Sequence, residues 1–522
     1  MRYNEETVYE ERFTYIIDNE KYIFKATLFN PDGDLLTLTK SSVLELNIFD
    51  SIFEPWLKGS IILDNTEDAL ERFVTPPGDT EFNSNTPKAK GYTVRGDGRD
   101  VLKIEIIPLD GNKSDYNSSD ESYNKIFALK YIFCLEDEQA MEYNEKSAKK
   151  YSIIDYDLEI MKERKIFFTS SDVLSENTGQ VTQLSNKDRE AYTGECMKYI
   201  IKKALNDKVA ILTTQDVDTG NESTPFFESG ISKIFYSSPA VNNTLEDLTY
   251  ILKRHVSSGT KNDFSFLKKE NYTGEYILEG AFDIFKKAYN PNTGRTGSRF
   301  LENFTITGAS RESSSIIENE QKKPDNALEF GEKSEILDYK FFNTSSRIRR
   351  DKIKSHITHS YDFNKKEFNI DMVDGNIENV KDVFASNYVS VMKGKDKNPT
   401  PNLIINGMQR NNLSYENVFS EYGDNSIIRK SYGVNKLLKN ALVTNMGVEI
   451  TVKGQLQRKS GRFFSIDRAG DYIDNHFDNK LLGIYFILDV QHLFIDDTKY
   501  LNKLIAIKTY HFDNPNYKED LL

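Results

Sequence analysis

The chain is poor in cysteine and has no long apolar run. Cys134 and Cys196 are its only cysteines, which excludes a disulfide framework and a cysteine-based zinc site and fits assembly in a reducing cytoplasm. Residues 1–11 contain no apolar stretch of the length that a signal peptide requires, and no later stretch approaches the roughly 18 consecutive apolar residues of a membrane span. We therefore expect a chain that is made in the cytosol and has no integral membrane segment.

Positive charge is also in deficit. The 522 residues include 68 Lys and Arg against 81 Asp and Glu, a net charge of −13, and this balance argues against tight binding to nucleic-acid phosphates or anionic membranes. Large apolar side chains are plentiful, with 33 Phe and 29 Tyr, so packed cores are expected rather than disorder. A chain of this length is expected to form about two to four domains.

Residues 1–175 are predicted to form the first domain, built of β-strands. Leu44, Leu46 and Ile48 alternate with polar residues, which is the period-two pattern of a half-buried strand. A short connector that contains Trp56, an expected core residue, leads to the next strand. Further strands are predicted at residues 60–64, 101–107, 126–135 and 165–168.

Residues 176–300 are predicted to form a mixed α/β domain. Between residues 187 and 205 the apolar side chains recur every three to four positions, which indicates an amphipathic helix. A second helix is predicted to begin at Thr244, with Asp247 three positions on as in a capping box. Residues 279–287 are predicted to form a third, short helix.

Residues 301–522 are predicted to form a second β domain with long loops. The polar, turn-rich segment at residues 310–334 has the composition of a long loop. Phe486 is expected in the core, and no close sequence repeat is visible, although both β domains end in long paired strands. Strands are predicted at residues 448–452, 483–490 and 500–508, the last two joined as a hairpin across Asp496 and Asp497.

No pattern predicts a catalytic, cofactor-binding or metal-binding residue. The most calcium-like segment, residues 110–121, has Asp115 at the sixth loop position, where an EF-hand requires glycine. His356 and His359 would share a face only on a helix, whereas their surroundings predict a strand. The chain has neither a phosphate loop nor a nucleophile elbow. We therefore expect no metal, no cofactor and no enzymatic activity.

Three segments resemble the baseplate hub proteins of contractile phage tails and the related N-terminal half of type VI secretion spike proteins (VgrG). Residues 43–65, VLELNIFDSIFEPWLKGSIILDN, are similar to the opening strands of that family's first barrel. Residues 230–278 are similar to its Ser-Pro segment, capped helix and Asp-Phe strand. Residues 482–508, LGIYFILDVQHLFIDDTKYLNKLIAIK, are similar to the closing hairpin of its second barrel.

The resemblance implies a mainly β chain with α+β insertions, in which two antiparallel barrels like those of the tail tube flank the mixed domain. It also implies a structural hub in the baseplate of the virion tail, assembled in the host cytoplasm as a homotrimeric ring around the DNA channel. The implied partners are the tail tube protein, the central spike protein and the baseplate wedge proteins, with the tape measure protein as a further candidate. The chain departs from compact hubs at residues 74–100, 310–335 and 392–402, where it has longer loops.

Two alternatives come from other classes of protein. A tail-associated peptidoglycan hydrolase needs only two carboxylates that folding brings together, and Glu190 and Asp247 are candidates for such a pair. Both residues also fit the start of a helix, where carboxylates face the positive end of the helix dipole. A carbohydrate-binding virion protein is the second alternative, suggested by the many Tyr and Asn residues of the predicted loops.

The acidic composition leads to an expectation about the channel of such a ring. Three copies carry three times −13, or −39, and walls that repel phosphates would let DNA slide where rows of Lys and Arg would hold it. Glu45, Glu105 and Glu449, on the polar face of predicted strands, are candidates for the channel wall. The same acidity would also keep an abundant protein soluble if the charges lay outside.

Overall fold

The described part of the chain is mainly β-structure with a few helices, as predicted. A computed structural model describes the following residues: 14–17, 20–29, 35–38, 42–66, 70, 98–109, 129–178, 190–206, 227–234, 236–257, 264–270, 274–281, 284, 289–290, 295–296, 300–307, 317–318, 336–343, 355–362, 367–374, 413–420, 446–456, 458–469, 483–495 and 499–510. The calcium-like loop at residues 110–121 and the predicted loops at 310–335 and 392–402 fall largely or wholly outside these residues.

The elements divide into a first β region, a middle region with helices and a last β region. The strands of the first region are β1 Thr14–Ile17, β2 Glu20–Phe29, β3 Leu35–Thr37, β4 Val43–Ser51, β5 Lys58–Asp64, β6 Val101–Leu109, β7 Leu129–Tyr143 and β8 Lys146–Asp155. The middle region contains α1 Tyr156–Glu163, α2 Ser170–Thr178, β9 Ala191–Tyr192, α3 Thr193–Ala204, β10 Lys233–Ile234, α4 Thr244–Leu252, β11 Ser265–Lys269 and β12 Tyr276–Gly280. The last region contains β13 Tyr289–Asn290, β14 Arg295–Thr296, β15 Phe300–Thr307, β16 Ile317–Glu318, β17 Ile336–Asn343, β18 Ser355–Asp362, β19 Glu367–Asp374, β20 Leu413–Ser420, β21 Met446–Lys453, β22 Phe463–Ala469, β23 Gly483–Ile495 and β24 Lys499–Tyr510.

Fifteen strands from both β regions join into one sheet. Its order is β1-β2-β6-β7-β8-β5-β4-β23-β22-β15-β16-β17-β21-β24, with β3 beside β2 and a further pairing of β24 with β23. The prediction of two separate closed barrels is therefore wrong for the described strands. They form one continuous sheet, whose last strands return to β23.

Strand β23 is the reason that the two regions share a sheet. One edge of β23 pairs with β24 along most of its length. On the other edge, residues 483–486 pair with β22 and residues 489–495 pair with β4 of the first region. A register shift between Ile487 and Asp489 separates these two halves. Such a bulge bends a strand and increases its twist, so the two halves of β23 can pair with different strands.

The sheet contains the same five-stranded arrangement twice. The first unit has the order β4-β5-β8-β7-β6, and the second unit has the order β17-β21-β24-β23-β22. Both orders use the strands in the same sequence along the chain, and all neighbouring strands in both units are antiparallel. The next strands differ, because β2 is antiparallel to β6 whereas β15 is parallel to β22.

The strand registers of the two units also agree. Val43 lies opposite Leu63 and Ile336 opposite Val452, and a register shift follows both pairs. The β5–β8 and β21–β24 ladders each contain seven opposed pairs. Corresponding positions are residues 43 and 336, 58 and 447, 101 and 463, 134 and 486, 143 and 495, and 154 and 507.

Corresponding core positions of the two units are buried by different residue types. Phe133 of the first unit corresponds to Tyr485 of the second, and Tyr151 corresponds to Leu504; all four are fully buried. Leu46 and Ile48 are buried as predicted, and so are Trp56 and Phe486. The units thus retain a burial pattern rather than residue identities, which explains why the sequence shows no close repeat.

The middle region contains both helices and short strands, and several predicted details differ from the structure. Helix α3 is shorter than predicted, and the capping box of α4 uses Asn243 and Glu246 instead of Thr244 and Asp247. Asn243 is favoured because its amide oxygen accepts from the Glu246 amide while the Glu246 carboxylate accepts from the Asn243 amide. Residues 1–175 are not all β, since they contain α1 and most of α2, and residues 165–168 form no strand. The domain borders at 175 and 300 stay predictions.

Phe486 offers a test of the shared core. Its ring is fully buried, with its centroid 4.9 Å from that of Phe463 and 6.3 Å from that of Phe266. Replacing Phe486 with Ala is expected to lower the free energy of unfolding by about 3–5 kcal/mol, because a buried ring leaves a cavity. The control is Phe49→Ala, since Phe49 is 45% exposed on β4 and should change stability by less than about 1 kcal/mol. Urea unfolding measures both, and equal losses would contradict the assignment.

Candidate functional site

The three regions meet at the end of strand β11, where three consecutive residues each form an ion pair with a different part of the chain. Lys268 pairs with Asp50 of β4, Lys269 with Asp155 at the end of β8, and Glu270 with Lys459 of the last region. Side chains of successive strand residues point to opposite faces, so this short segment can bind partners on both of its sides. We call the residues around these three pairs the junction.

Lys268 holds the connector that follows β4. Its ammonium group donates to Asp50 Oδ1 at 2.7 Å, to the Ser51 carbonyl at 2.6 Å and to the Glu54 carbonyl at 2.9 Å. Three acceptors match the three protons of the ammonium group. The Asp50 carboxylate also accepts from the amide and the hydroxyl of Ser460, both at 2.8 Å. One buried carboxylate therefore connects the first, middle and last regions.

The electrostatics of Asp50 follow from these contacts. Burial by itself would raise the pKa of the Asp50 carboxyl. The charge and hydrogen bond of Lys268, together with the two donors of Ser460, more than offset this effect and lower its pKa below the ordinary value. Asp50 is thus ionised in the folded protein at neutral pH, and its charge is fully compensated.

Lys269 of β11 binds the end of β8 and the start of helix α1. Its ammonium group lies 3.0 Å from Asp155 Oδ2 and 2.6 Å from Asp157 Oδ2. Burial would lower the pKa of Lys269, but the two carboxylates more than offset burial and raise it. Asp155 also caps α1, because its side chain accepts from the amides of Asp157 and Leu158.

Trp56 completes this side of the junction. Its indole Nε1 donates to the Tyr276 hydroxyl at 2.7 Å, and that hydroxyl donates to Asp157 Oδ2 at 3.0 Å. Trp56 packs in the core of the middle region although it belongs to the β4–β5 connector. The only tryptophan of the sequence therefore anchors the first region to the middle one.

Glu270 extends the junction into the last region. Lys459 Nζ lies 2.5 Å from Glu270 Oε1. Burial would raise the pKa of Glu270, whereas Lys459 and then Arg462 hold it below its ordinary value.

His492 lies next to the junction on β23, opposite Ile48 of β4. Its Nδ1 is 2.7 Å from the Tyr500 hydroxyl and 3.0 Å from Asn502 Nδ2. The Asn502 oxygen is already used by the Gln455 amide and by Arg458, so the amide nitrogen faces the ring and Nδ1 must accept. Burial lowers the pKa of His492 to about 4. The imidazole is therefore neutral at physiological pH.

The two acids proposed as a hydrolase pair differ in burial. Asp247 is buried in α4, and its carboxylate accepts from Tyr236 at 2.6 Å, from Ser238 at 2.5 Å and from Asn242 at 2.9 Å. Glu190 is half-buried just before β9. With three donors on one buried carboxylate, Asp247 stabilises the turn before α4.

Sequence reasoning missed a line of a hydroxyl, an imidazole and a carboxylate in the middle region. Thr193 Oγ1 is 2.9 Å from His255 Nδ1, and His255 Nε2 is 3.1 Å from Glu228 Oε1. This order of groups can activate a nucleophile, but the side chains of His255 and Glu228 are only 0% and 1% exposed. In the folded chain the line is an enclosed hydrogen-bond network. Gly230 packs directly against the His255 ring. A Cβ at this position would lie 2.4 Å from His255 Cε1, and the φ angle of Gly230 is +74°.

The structure also bears on the predictions for His356 and His359, for metal binding and for membrane-spanning segments. His356 and His359 lie on strand β18, which confirms the predicted strand context. Among the described residues, no group of three or more His, Cys, Asp or Glu is arranged to hold a metal ion. Within the same residues, every helix is too short or too polar to cross a membrane.

Comparison with known proteins gives structural matches only. No family model matches the chain, and no curated protein matches it. Among solved structures, it is similar to a tail protein from Neisseria meningitidis MC58, with 9% identity, a TM-score of 0.44, and 93% of this chain and 96% of that chain covered.

Two further matches cover a similar share of this chain. The 43 kDa tail protein of prophage MuSo2 from Shewanella oneidensis has 9% identity and a TM-score of 0.41, with 93% of this chain and 98% of that chain covered. The Francisella PdpA-VgrG complex has 9% identity and a TM-score of 0.40, with 94% of this chain and 59% of that chain covered.

Replacing Lys268 with Met tests the junction. The change leaves the Asp50 carboxylate buried without its cation and is expected to lower the free energy of unfolding by about 3–5 kcal/mol. The control is Lys58→Met, because the Lys58–Glu54 pair is 46% and 47% exposed and should contribute less than about 1 kcal/mol. The double variant Asp50→Asn with Lys268→Met should recover part of the loss. Equal urea midpoints for the Lys268 and Lys58 variants would refute the role of Lys268.

His492 predicts a pH dependence of stability. Its folded pKa of about 4 is below the ordinary 6.5, so the unfolded chain binds a proton first as the pH falls. The contribution of neutral His492 to the free energy of unfolding is fully present above pH 6.5. As the pH falls from 6.5 to about 4, the free energy of unfolding decreases by up to about 3 kcal/mol. Replacing His492 with Gln should flatten the unfolding free energy between pH 7.5 and 4.5. Parallel profiles for the wild type and the variant would contradict this expectation.

Proposed function

We propose that this chain is the structural hub of a contractile phage-tail baseplate, a ring that joins the tail tube to the central spike. The observation that carries the proposal is the repeated unit: one chain contains the same five-stranded arrangement twice, joined edge to edge through β4 and β23. A chain with two similar units supplies two of six similar positions around a sixfold tube, so three copies would close the ring.

The junction supports a mechanical role. It fixes the two β regions to each other and to the middle region through compensated, largely buried ion pairs. Such pairs are strongly disrupted when one partner is displaced, which favours one defined arrangement of the regions. A part that transmits force between a tube and a spike benefits from this rigidity, whereas catalysis is no part of the proposed role.

The proposed partners follow from the same role. A ring in the baseplate of the virion would contact the tail tube protein on one face, the central spike protein on the other and the wedge proteins at its rim, with the tape measure protein as a further candidate. DNA would pass through the channel without tight binding. Glu45, Glu105 and Glu449 are half-buried on the polar face of their strands, and all three stay candidates for a repelling wall.

The mass of the assembled protein tests the proposal. One chain has a mass of 60.1 kDa, so light scattering is expected to find multiples of three chains, with the tube or spike protein added where the isolated chain does not assemble. The reason is that two units per chain match a sixfold tube only in threes. A stable dimer in light scattering would refute the proposed hub, and so would electron micrographs that show one ring built of six whole chains.

A further inference from the structure

The corresponding strands β7 of the first unit and β23 of the second unit differ in their neighbours. Residues 489–495 of β23 pair with β4, which belongs to the first unit. In the first unit, the corresponding segment is residues 137–143 of β7, of which residues 139–143 pair with β8, and the described residues include no second strand beside residues 137–142. Among the described residues, the first unit therefore has a strand edge without a neighbour at the position where β4 lies beside the second unit.

Exposure shows the same difference. His492 and Phe494 of β23 are 1% and 5% exposed under β4. The corresponding residues of β7, Ala140 and Glu142, are exposed. This segment is the end of a 15-residue strand, and long uncovered strand edges invite pairing with another strand.

The strand that corresponds to β4 is β17. One edge of β17 pairs with β21 from residue 336 to residue 343. The opposite edge has one pairing among the described residues, between Ile336 and Ile317 of β16. Residue 336 corresponds to residue 43, which lies outside the β4–β23 ladder of residues 45–51. Among the described residues, no strand therefore lies beside the stretch of β17 that corresponds to this ladder.

We propose that β17 of one copy pairs antiparallel with β7 of the next copy, in the register that β4 uses on β23 within one chain. The proposal rests on the proposed ring and names the contact that closes it. It assigns the same edge contact to every boundary between units: β4 on β23 inside a chain, and β17 on β7 between chains. The expected opposed pairs are Gln139 with Phe342, Ala140 with Phe341, Met141 with Lys340, and Glu142 with Tyr339 of the neighbouring copy.

A closed ring explains why this contact must be made between copies. Within one chain, β4 already occupies β23. In the part of the chain that the structure describes, β17 and β7 then each have a stretch of edge with no neighbouring strand, one as donor and one as acceptor. A surface that pairs two different edges is heterologous, and it closes into a ring when the rotation between copies allows. Six such edge contacts, three within and three between chains, would complete a ring of three chains.

Cysteine crosslinking tests the register. The native thiols Cys134 and Cys196 are buried and are replaced by Ala. One preparation then carries Met141→Cys and the other Lys340→Cys; both positions are accessible, with Met141 half-buried and Lys340 exposed. Mixing the two and adding a short bismaleimide is expected to give covalent dimers, because the two thiols lie opposite each other across the contact. A chain with both substitutions is expected to give a covalent trimer as its largest product.

Two controls bracket this result. The corresponding pair inside one chain, Leu493→Cys with Asn47→Cys, lies opposed in β23 and β4 and should form an intramolecular crosslink, which shows that the reagent spans such a pair. Lys253→Cys, at an exposed position just beyond α4, should give no dimer when mixed with Met141→Cys.

Light scattering on the same samples separates the two proposals. Multiples of three without a crosslink between residues 141 and 340 would overturn the β7–β17 contact and leave the hub standing. Crosslinks only between two copies of residue 141 would indicate a twofold contact and overturn it as well. A protein that stays monomeric with the tube and spike proteins present would overturn both.

Discussion

The antiparallel pairing of β4 with the second half of β23 is the contact on which the rest of this structure depends. It joins strands from opposite ends of the chain into one sheet. Its opposed pairs include His492 with Ile48 and Phe494 with Leu46, and all four side chains are buried. The core of the first region also includes Leu456 and Tyr500 from the last region. The core of the first region is therefore completed by the last region, so the first region is expected to fold and unfold together with the last.

The junction adds orientation to this shared sheet. The junction contains three consecutive residues at the end of β11, namely Lys268, Lys269 and Glu270, so the backbone fixes their distances from one another. Each of the three forms an ion pair with a different part of the chain. Buried ion pairs contribute modestly to net stability because desolvation offsets much of their attraction, but an unpaired buried charge is strongly unfavourable. The junction therefore acts mainly by excluding other arrangements of the three regions.

The junction was beyond the reach of the sequence. Asp50 is 218 residues from Lys268 and 410 residues from Ser460 along the chain, and nothing distinguishes it from the other acidic residues of this acidic protein. Trp56 was predicted to be buried because it is large and lies between two strands, yet its hydrogen bond to Tyr276 depends on a strand 220 residues away. The line from Thr193 to Glu228 was missed for the same reason, since its three residues come from separate segments.

The sequence by itself determined the elements of this protein: the alternation of β4, the hairpin of β23 and β24, the helical periodicity of α3, and the burial of Trp56 and Phe486. These follow from local patterns, because side-chain periodicity reports which face of an element is buried. Only the tertiary structure decided that the strands form one sheet instead of two closed barrels, and that one five-stranded unit occurs twice. Strand edges pair through backbone hydrogen bonds, which are common to all residue types, so the choice of neighbouring edge leaves little trace in the order of side chains.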